Sequence, residues 1–123
     1  CYPVISRPDA IAHTDSIQNL LGSQYEEKRE KLSLENQVGD WVPKTFIWHT
    51  FDDDTVPFWN SMVFVEALGK ANVPVEFHLY PKGAHGLSLA TKSIQRTDGS
   101  GVEPGCQSWM PLLLQWIQRN FGF

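Results

Sequence analysis

Two side chains in the middle of this chain are of types that could move a proton. Asp52 opens the run Asp52-Asp-Asp-Thr-Val-Pro57, just past the stretch Thr45-Phe-Ile-Trp-His-Thr50. His85 sits between glycines in Lys82-Gly-Ala-His-Gly-Leu87, just past Val75-Glu-Phe-His-Leu-Tyr80. A carboxylate that holds an imidazole in one tautomer, and an imidazole that takes a proton from a hydroxyl, are two of the three parts of a charge-relay site. The third part is a nucleophile. No Gly-x-Ser-x-Gly pentapeptide occurs in the chain. Ser100, within Asp98-Gly-Ser-Gly101, follows no predicted strand and does not read as that nucleophile, because an elbow serine needs a strand before it and a helix after it.

Such a pair works only if the chain brings its members together. Thr45 to Thr50 is β-branched and aromatic without strict alternation, the pattern of a strand covered on both faces in a parallel sheet. From Pro57 the period changes. Phe58, Met62, Val65 and Leu68 share one helical face, with Thr55 near the cap and Pro57 in the first turn. Val75, Phe77 and Leu79 then alternate with Glu76, His78 and Tyr80, which predicts a half-exposed strand near a sheet edge. A strand, a helix and a strand joined by short turns form a right-handed crossover between parallel strands. Both acidic turn and histidine loop therefore belong at the same end of the sheet, where open α/β sheets place their sites. Glycines flanking Ala84-His85 let that loop turn tightly and aim the ring into a cleft.

Around this unit, Cys1-Tyr-Pro-Val-Ile5 reads as the tail of a buried strand, and the chain as a piece of a longer one. Residues 6–15 read as a loop. Asp15 opens a short helix to Leu21, closed by Gly22, and Ser23-Gln-Tyr-Glu26 has capping-box spacing for a charged helix from Gln24 to about Lys31. Ser33 to Val38 predicts one more helical turn. Ser88 to Gly105 has no periodicity and predicts a surface loop of variable order. Trp109, Leu112, Leu113, Trp116 and Ile117 make the apolar stripe of a closing helix.

Composition narrows the function classes. With 41% apolar and 20% charged residues over 123 positions, this is the balance of one folded domain or part of one. The net charge is −4 and the ten Lys and Arg form no aromatic-interleaved stripe, so a nucleic-acid partner is not indicated. No apolar run is long enough for a membrane span. Cys1 and Cys106 lie outside any metal-ligand spacing and read as reduced thiols of a cytoplasmic protein, with a disulfide between them the lesser alternative. The carboxylates with His49 or His85 have no metal-ligand spacing either. His49 reads as a satisfied strand residue or a support to the site, and His13 and His78 as surface or packing residues. Trp48, Phe51 and Trp59 read as core, or else as walls of an acyl pocket. Asp52, Asp53 and Asp54 have a plainer reading as a solvated turn ahead of the Pro57 helix.

The phrases Cys1-Tyr-Pro-Val-Ile-Ser6, Asn19-Leu-Leu-Gly22, Trp48-His-Thr-Phe-Asp-Asp-Asp-Thr-Val-Pro57 with Asn60-Ser61, Val73-Pro-Val-Glu-Phe-His-Leu-Tyr80 and Gly83-Ala-His-Gly-Leu87 together resemble the carboxyl-terminal half of α/β-hydrolase esterases and lipases, of the acetyl-xylan-esterase-like or prolyl-oligopeptidase-like kind. The resemblance implies an α/β fold: residues 1–123 would be the C-terminal part of one three-layer α/β-hydrolase domain with a mostly parallel sheet. The nucleophile-bearing N-terminal half would lie outside it. It also implies Asp52 as the acid and His85 as the base of a Ser-Asp-His triad, with Asp53 as the alternative acid because related hydrolases differ by one residue in this turn. Implied substrates are small acyl esters, with acetylated sugars or xylan fragments among them, and implied cofactors and metals are none. The expected partner is the N-terminal half of the same hydrolase, without which this chain is expected to be inactive. The rival expectation is a non-catalytic α/β module that binds a partner through its sheet edge.

Overall fold

In the computed structural model, which describes residues 3–6 and 14–122, the central unit forms as the periodicity predicts. Strand β1 runs Thr45–Thr50, and two short helices precede it, α1 (Thr14–Leu21) and α2 (Tyr25–Lys28). Helix α3 (Trp59–Lys70) then crosses to strand β2 (Val75–Tyr80), and helix α4 (Trp109–Phe121) closes the chain. The two strands pair in parallel, Thr45 opposite Val75 through Thr50 opposite Tyr80. The pairing continues one bond further, from Phe51 N–H to Tyr80 O at 2.8 Å.

β1 is covered on both faces, which explains its lack of alternation. Its even-numbered side chains meet α4 and the loop before it: Trp48 stacks on Trp109 with centroids 5.3 Å apart and meets Tyr80 edge-on at 5.8 Å, and Phe46 lies 5.9 Å from Trp116. Leu87, Ala90 and Cys106 complete that core. On the other face, buried His49 reaches Ser61 of α3. β2 is half-buried, and on its rim Glu76 bonds both His78 (3.0 Å) and Arg119 of α4 (2.6 Å). The stripe Trp109, Leu112, Leu113, Trp116 and Ile117 is half-buried along its length, as the closing helix requires.

Three expectations change, and one stretch cannot be compared. Residues 3–6 join no sheet among the described residues, because the N–H groups of Ile5 and Ser6 both donate to the buried Asn60 Oδ1 at 3.0 Å instead. Cys1, Tyr2 and the predicted loop over residues 7–13, with His13, lie outside the described residues. The charged helix is shorter than its capping-box spacing suggests: Ser23 falls inside a 3-10 turn, Gly22–Gln24, and α2 tightens into another over Arg29–Leu32. The loop before α4 is pinned, not loosely attached. Trp109 Nε1–H donates to Ser88 O at 2.9 Å, Gln107 Nε2–H to Ala90 O at 2.9 Å, and Glu103 N–H to Ala90 O at 3.0 Å. Cys106 is a free, buried thiol whose pKa burial pushes up to about 11, so it stays protonated at neutral pH. No helix of the described residues is long and apolar enough to cross a membrane.

Candidate active site

The acidic turn and the histidine loop meet beyond the carboxyl ends of β1 and β2, but the carboxylate that meets the imidazole is not that of Asp52. His85 Nδ1–H donates to Asp53 Oδ2 at 2.9 Å. Asp52 instead accepts the Gly83 N–H on Oδ1 at 2.6 Å, and its residue is exposed while Asp53 is 5% exposed. The expected Asp52–His85 contact is therefore replaced by Asp53–His85. The physical reason lies in the turn. Asp53 folds back on the backbone two and three residues ahead, its Oδ1 accepting from Thr55 N–H (3.0 Å) and Val56 N–H (2.9 Å). That local bonding turns Oδ2 inward to His85 and sends the preceding side chain outward.

The Asp53 carboxylate is wholly enclosed yet well satisfied. Oδ1 takes two backbone N–H groups, and Oδ2 faces two imidazoles, His85 Nδ1 at 2.9 Å and His49 Nε2 at 3.3 Å. A buried charge persists only with such partners. Because a carboxylate only accepts, His85 carries its proton on Nδ1, and in the neutral ring the lone pair belongs to Nε2. The His85 side chain is 34% exposed. A base with its tautomer set by a buried carboxylate, on a half-open loop, can take a proton from a hydroxyl and pass it on.

The histidine loop is gripped at Gly83. Thr50 Oγ1–H, from the last residue of β1, donates to Gly83 O at 2.5 Å while Asp52 takes the N–H of the same residue, and the Cys106 thiol donates to Lys82 O at 3.2 Å. Gly83 has φ +144, and a Cβ there would stand 2.5 Å from Leu87 Cδ1 and 2.8 Å from Thr50 Cγ2. The conformation and the space both exclude a side chain. Gly83→Ala is expected to destabilise the protein by about 1–3 kcal/mol, read as a lowered urea midpoint; an unchanged midpoint would contradict the packing described.

Other predicted residues fall as follows. His49 is fully buried against Ser61 and Val56, and His78 packs on the rim beside Phe46. Trp48 is core, whereas Phe51 and Trp59 are exposed; Phe51 stacks on Phe58 with centroids 4.7 Å apart, and Trp59 lies tilted against Phe58 at 4.8 Å. Ser100 bonds locally to Asp98, whose carboxyl is held below the usual range by that hydroxyl. Among the described residues no group of three or more His, Cys, Asp and Glu is placed to hold a metal ion. The residues that sequence reasoning passed over are Thr50 and Ser61, the partners of Gly83 and His49. A hydroxyl at the end of a buried strand, and another on the helix facing it, were the only available signals.

Residues 9–99 match the prolyl oligopeptidase family. The chain is similar to an endo-1,4-beta-xylanase B of Butyrivibrio fibrisolvens, 41% identical over 90 residues that are 72% of this chain and 14% of that protein. Among solved structures it resembles an acetyl ester-xyloside bifunctional hydrolase of Caldicellulosiruptor lactoaceticus, with TM-score 0.77 and 37% identity over 97% of this chain and 40% of that one. It also resembles a carboxylesterase of Lactobacillus plantarum, with TM-score 0.77 and 25% identity over 96% and 42%. The chain thus spans about a seventh of the first relative and about two fifths of the two hydrolases.

Proposed function

The chain belongs to the prolyl oligopeptidase family and has part of an α/β-hydrolase fold, and from that premise we propose that it carries the acid and base of a serine ester hydrolase. The observation that supports this reading most directly is the hydrogen bond from His85 Nδ1–H to the enclosed Asp53 carboxylate, at the rim where two parallel strands end. The acid is Asp53, with Asp52 holding the loop that presents the base. The nucleophilic serine comes from a portion of the protein that these residues do not span, and this chain by itself is inactive.

In the assembled site, the serine hydroxyl attacks the ester carbonyl as His85 Nε2 takes its proton. Asp53 keeps the ring oriented and stabilises the imidazolium. The imidazolium then protonates the departing alcohol as the carbonyl re-forms, leaving an acyl-serine. Water, deprotonated by the same nitrogen, releases the acid and restores the enzyme. The substrates are small acyl esters, with acetylated sugars or xylan fragments foremost. Two similarities favour that class: a hydrolase whose name joins acetyl ester to xyloside, and a xylanase at 41% identity.

The test is a panel of p-nitrophenyl acyl esters and acetylated xylan, run on the full-length protein beside a peptide substrate. Acyl release from short esters, with labelling of one serine by a fluorophosphonate, is expected. Peptide cleavage without ester cleavage would sink the ester reading, and an unlabelled, folded, inactive protein would favour a non-catalytic binding module.

A further inference from the structure

His49 is not used by the relay as described, yet its ring is fully buried and both of its nitrogens meet polar atoms in the same turn and helix. We infer that His49, set by Ser61, is a positioning residue that holds Asp53 Oδ2 in the orientation from which it grips His85. The inference rests on the reading of Asp53 and His85 as acid and base.

The tautomer follows from the partners. Val56 O, 2.9 Å from Nε2, is only an acceptor, so Nε2 carries a proton, and that same N–H edge lies 3.3 Å from Asp53 Oδ2. Nδ1 is 2.8 Å from Ser61 Oγ, which donates to it when the ring is neutral. Burial holds the His49 imidazole below its ordinary pKa, and the titratable groups that face it are Asp53 and His85. Neutrality has a consequence. A neutral N–H steadies the carboxylate without cancelling its charge, so that charge remains available to the imidazolium that forms on His85. A cationic His49 would compete for it.

The geometry also explains why two supports are needed. The Thr55 and Val56 N–H groups fix Oδ1, and a carboxylate held at one oxygen can still swing the other. His49 meets that second oxygen from the strand that carries the turn, on the side of α3, so Oδ2 stays in place while His85 exchanges protons with the substrate.

The experiment uses the full-length protein with His49→Phe, which fills the space without a donor, and His49→Gln, which offers an N–H near the position of Nε2. His49→Phe is expected to lower kcat by about a hundredfold, as a misplaced catalytic group does, with KM changed by less than about twofold. His49→Gln is expected to recover most of the loss. Wild-type kcat in His49→Phe, while Asp53→Asn is inert, would overturn the positioning role and leave the ester reading standing. Retained turnover in Asp53→Asn and His85→Ala would instead overturn the ester reading. Should His49→Phe not fold, histidine 15N NMR of the unaltered protein decides the matter. A neutral His49 with its proton on Nε2 from about pH 5 to 8 supports the role, and a ring protonated on Nδ1 or titrating in that range overturns it.

Discussion

Ester turnover by the full-length protein is expected to fall about 10⁴- to 10⁶-fold when His85 becomes alanine, with the fold intact. The size follows from what His85 would do: without it the serine has no partner to take its proton, and only binding and oxyanion contacts elsewhere remain. Even the lower figure corresponds to about 5.5 kcal/mol of transition-state stabilisation, more than any single surface contact supplies. The fold should survive because the shape of the loop is set by other groups. Gly83 is held at its N–H and its carbonyl by Asp52 and Thr50, Leu87 is 2% exposed in the core beside Trp48, and the Arg96 guanidinium reaches the backbone carbonyls of His85 and Gly86 at 3.4 and 3.2 Å. The imidazole itself is a third exposed and bonded on one edge to Asp53. A p-nitrophenyl acetate assay with a thermal melt alongside makes the check. Turnover within about tenfold of wild type would remove His85 from the mechanism, and a collapsed melt would show that the ring carries more of the loop than its contacts indicate.

The parts of the fold legible from sequence were those written in periodicity. The apolar run of β1, the helical spacing from Phe58 to Leu68 and the alternation of β2 each have one physical reading, and the parallel crossover follows from their order. The stripe on α4 is legible for the same reason. What periodicity does not encode is where individual polar atoms go. Residues 3–6 look like a strand because Val4 and Ile5 are apolar, yet their backbone donors end on Asn60, a side chain 54 and 55 positions away from its two partners. The 3-10 tightening after α2 also escapes a reading based on charges. Most instructive is the run of three aspartates. Side-chain type cannot separate Asp52 from Asp53, because the choice depends on which of them closes a local turn onto Thr55 and Val56 and so faces inward. One clue was present: Asp53 lies four residues after His49, and His49 lies on the buried strand. That the acidic turn meets the histidine loop was legible, and which aspartate faces the imidazole was not.

That register yields the second large expected effect, a contrast between adjacent residues. Asp53→Asn should lower kcat by about 10⁴-fold, whereas Asp52→Asn should cost less than about tenfold. Asparagine at 53 has nearly the same shape, and its Oδ1 can go on accepting from Thr55 and Val56 N–H. Its amide nitrogen then occupies the place of Oδ2, where the neighbours are the Nδ1–H of His85 and the Nε2–H of His49. Donor would face donor on both sides. His85 is relieved of that conflict by moving its proton to Nε2, which in the proposed mechanism is the atom that accepts the serine proton, so the base would be lost while the loop stays put. Flipping the amide instead would set the NH₂ against two backbone N–H groups, which offers no escape. At position 52 the same change is mild, because the contact is a single backbone N–H onto the carboxylate of an exposed residue, and an amide oxygen can accept it with a weaker bond. The two variants therefore differ by about three orders of magnitude in one assay, with matched volume and matched loss of charge. The reverse ranking would mean that Asp52, not Asp53, orients the base when the whole protein is assembled.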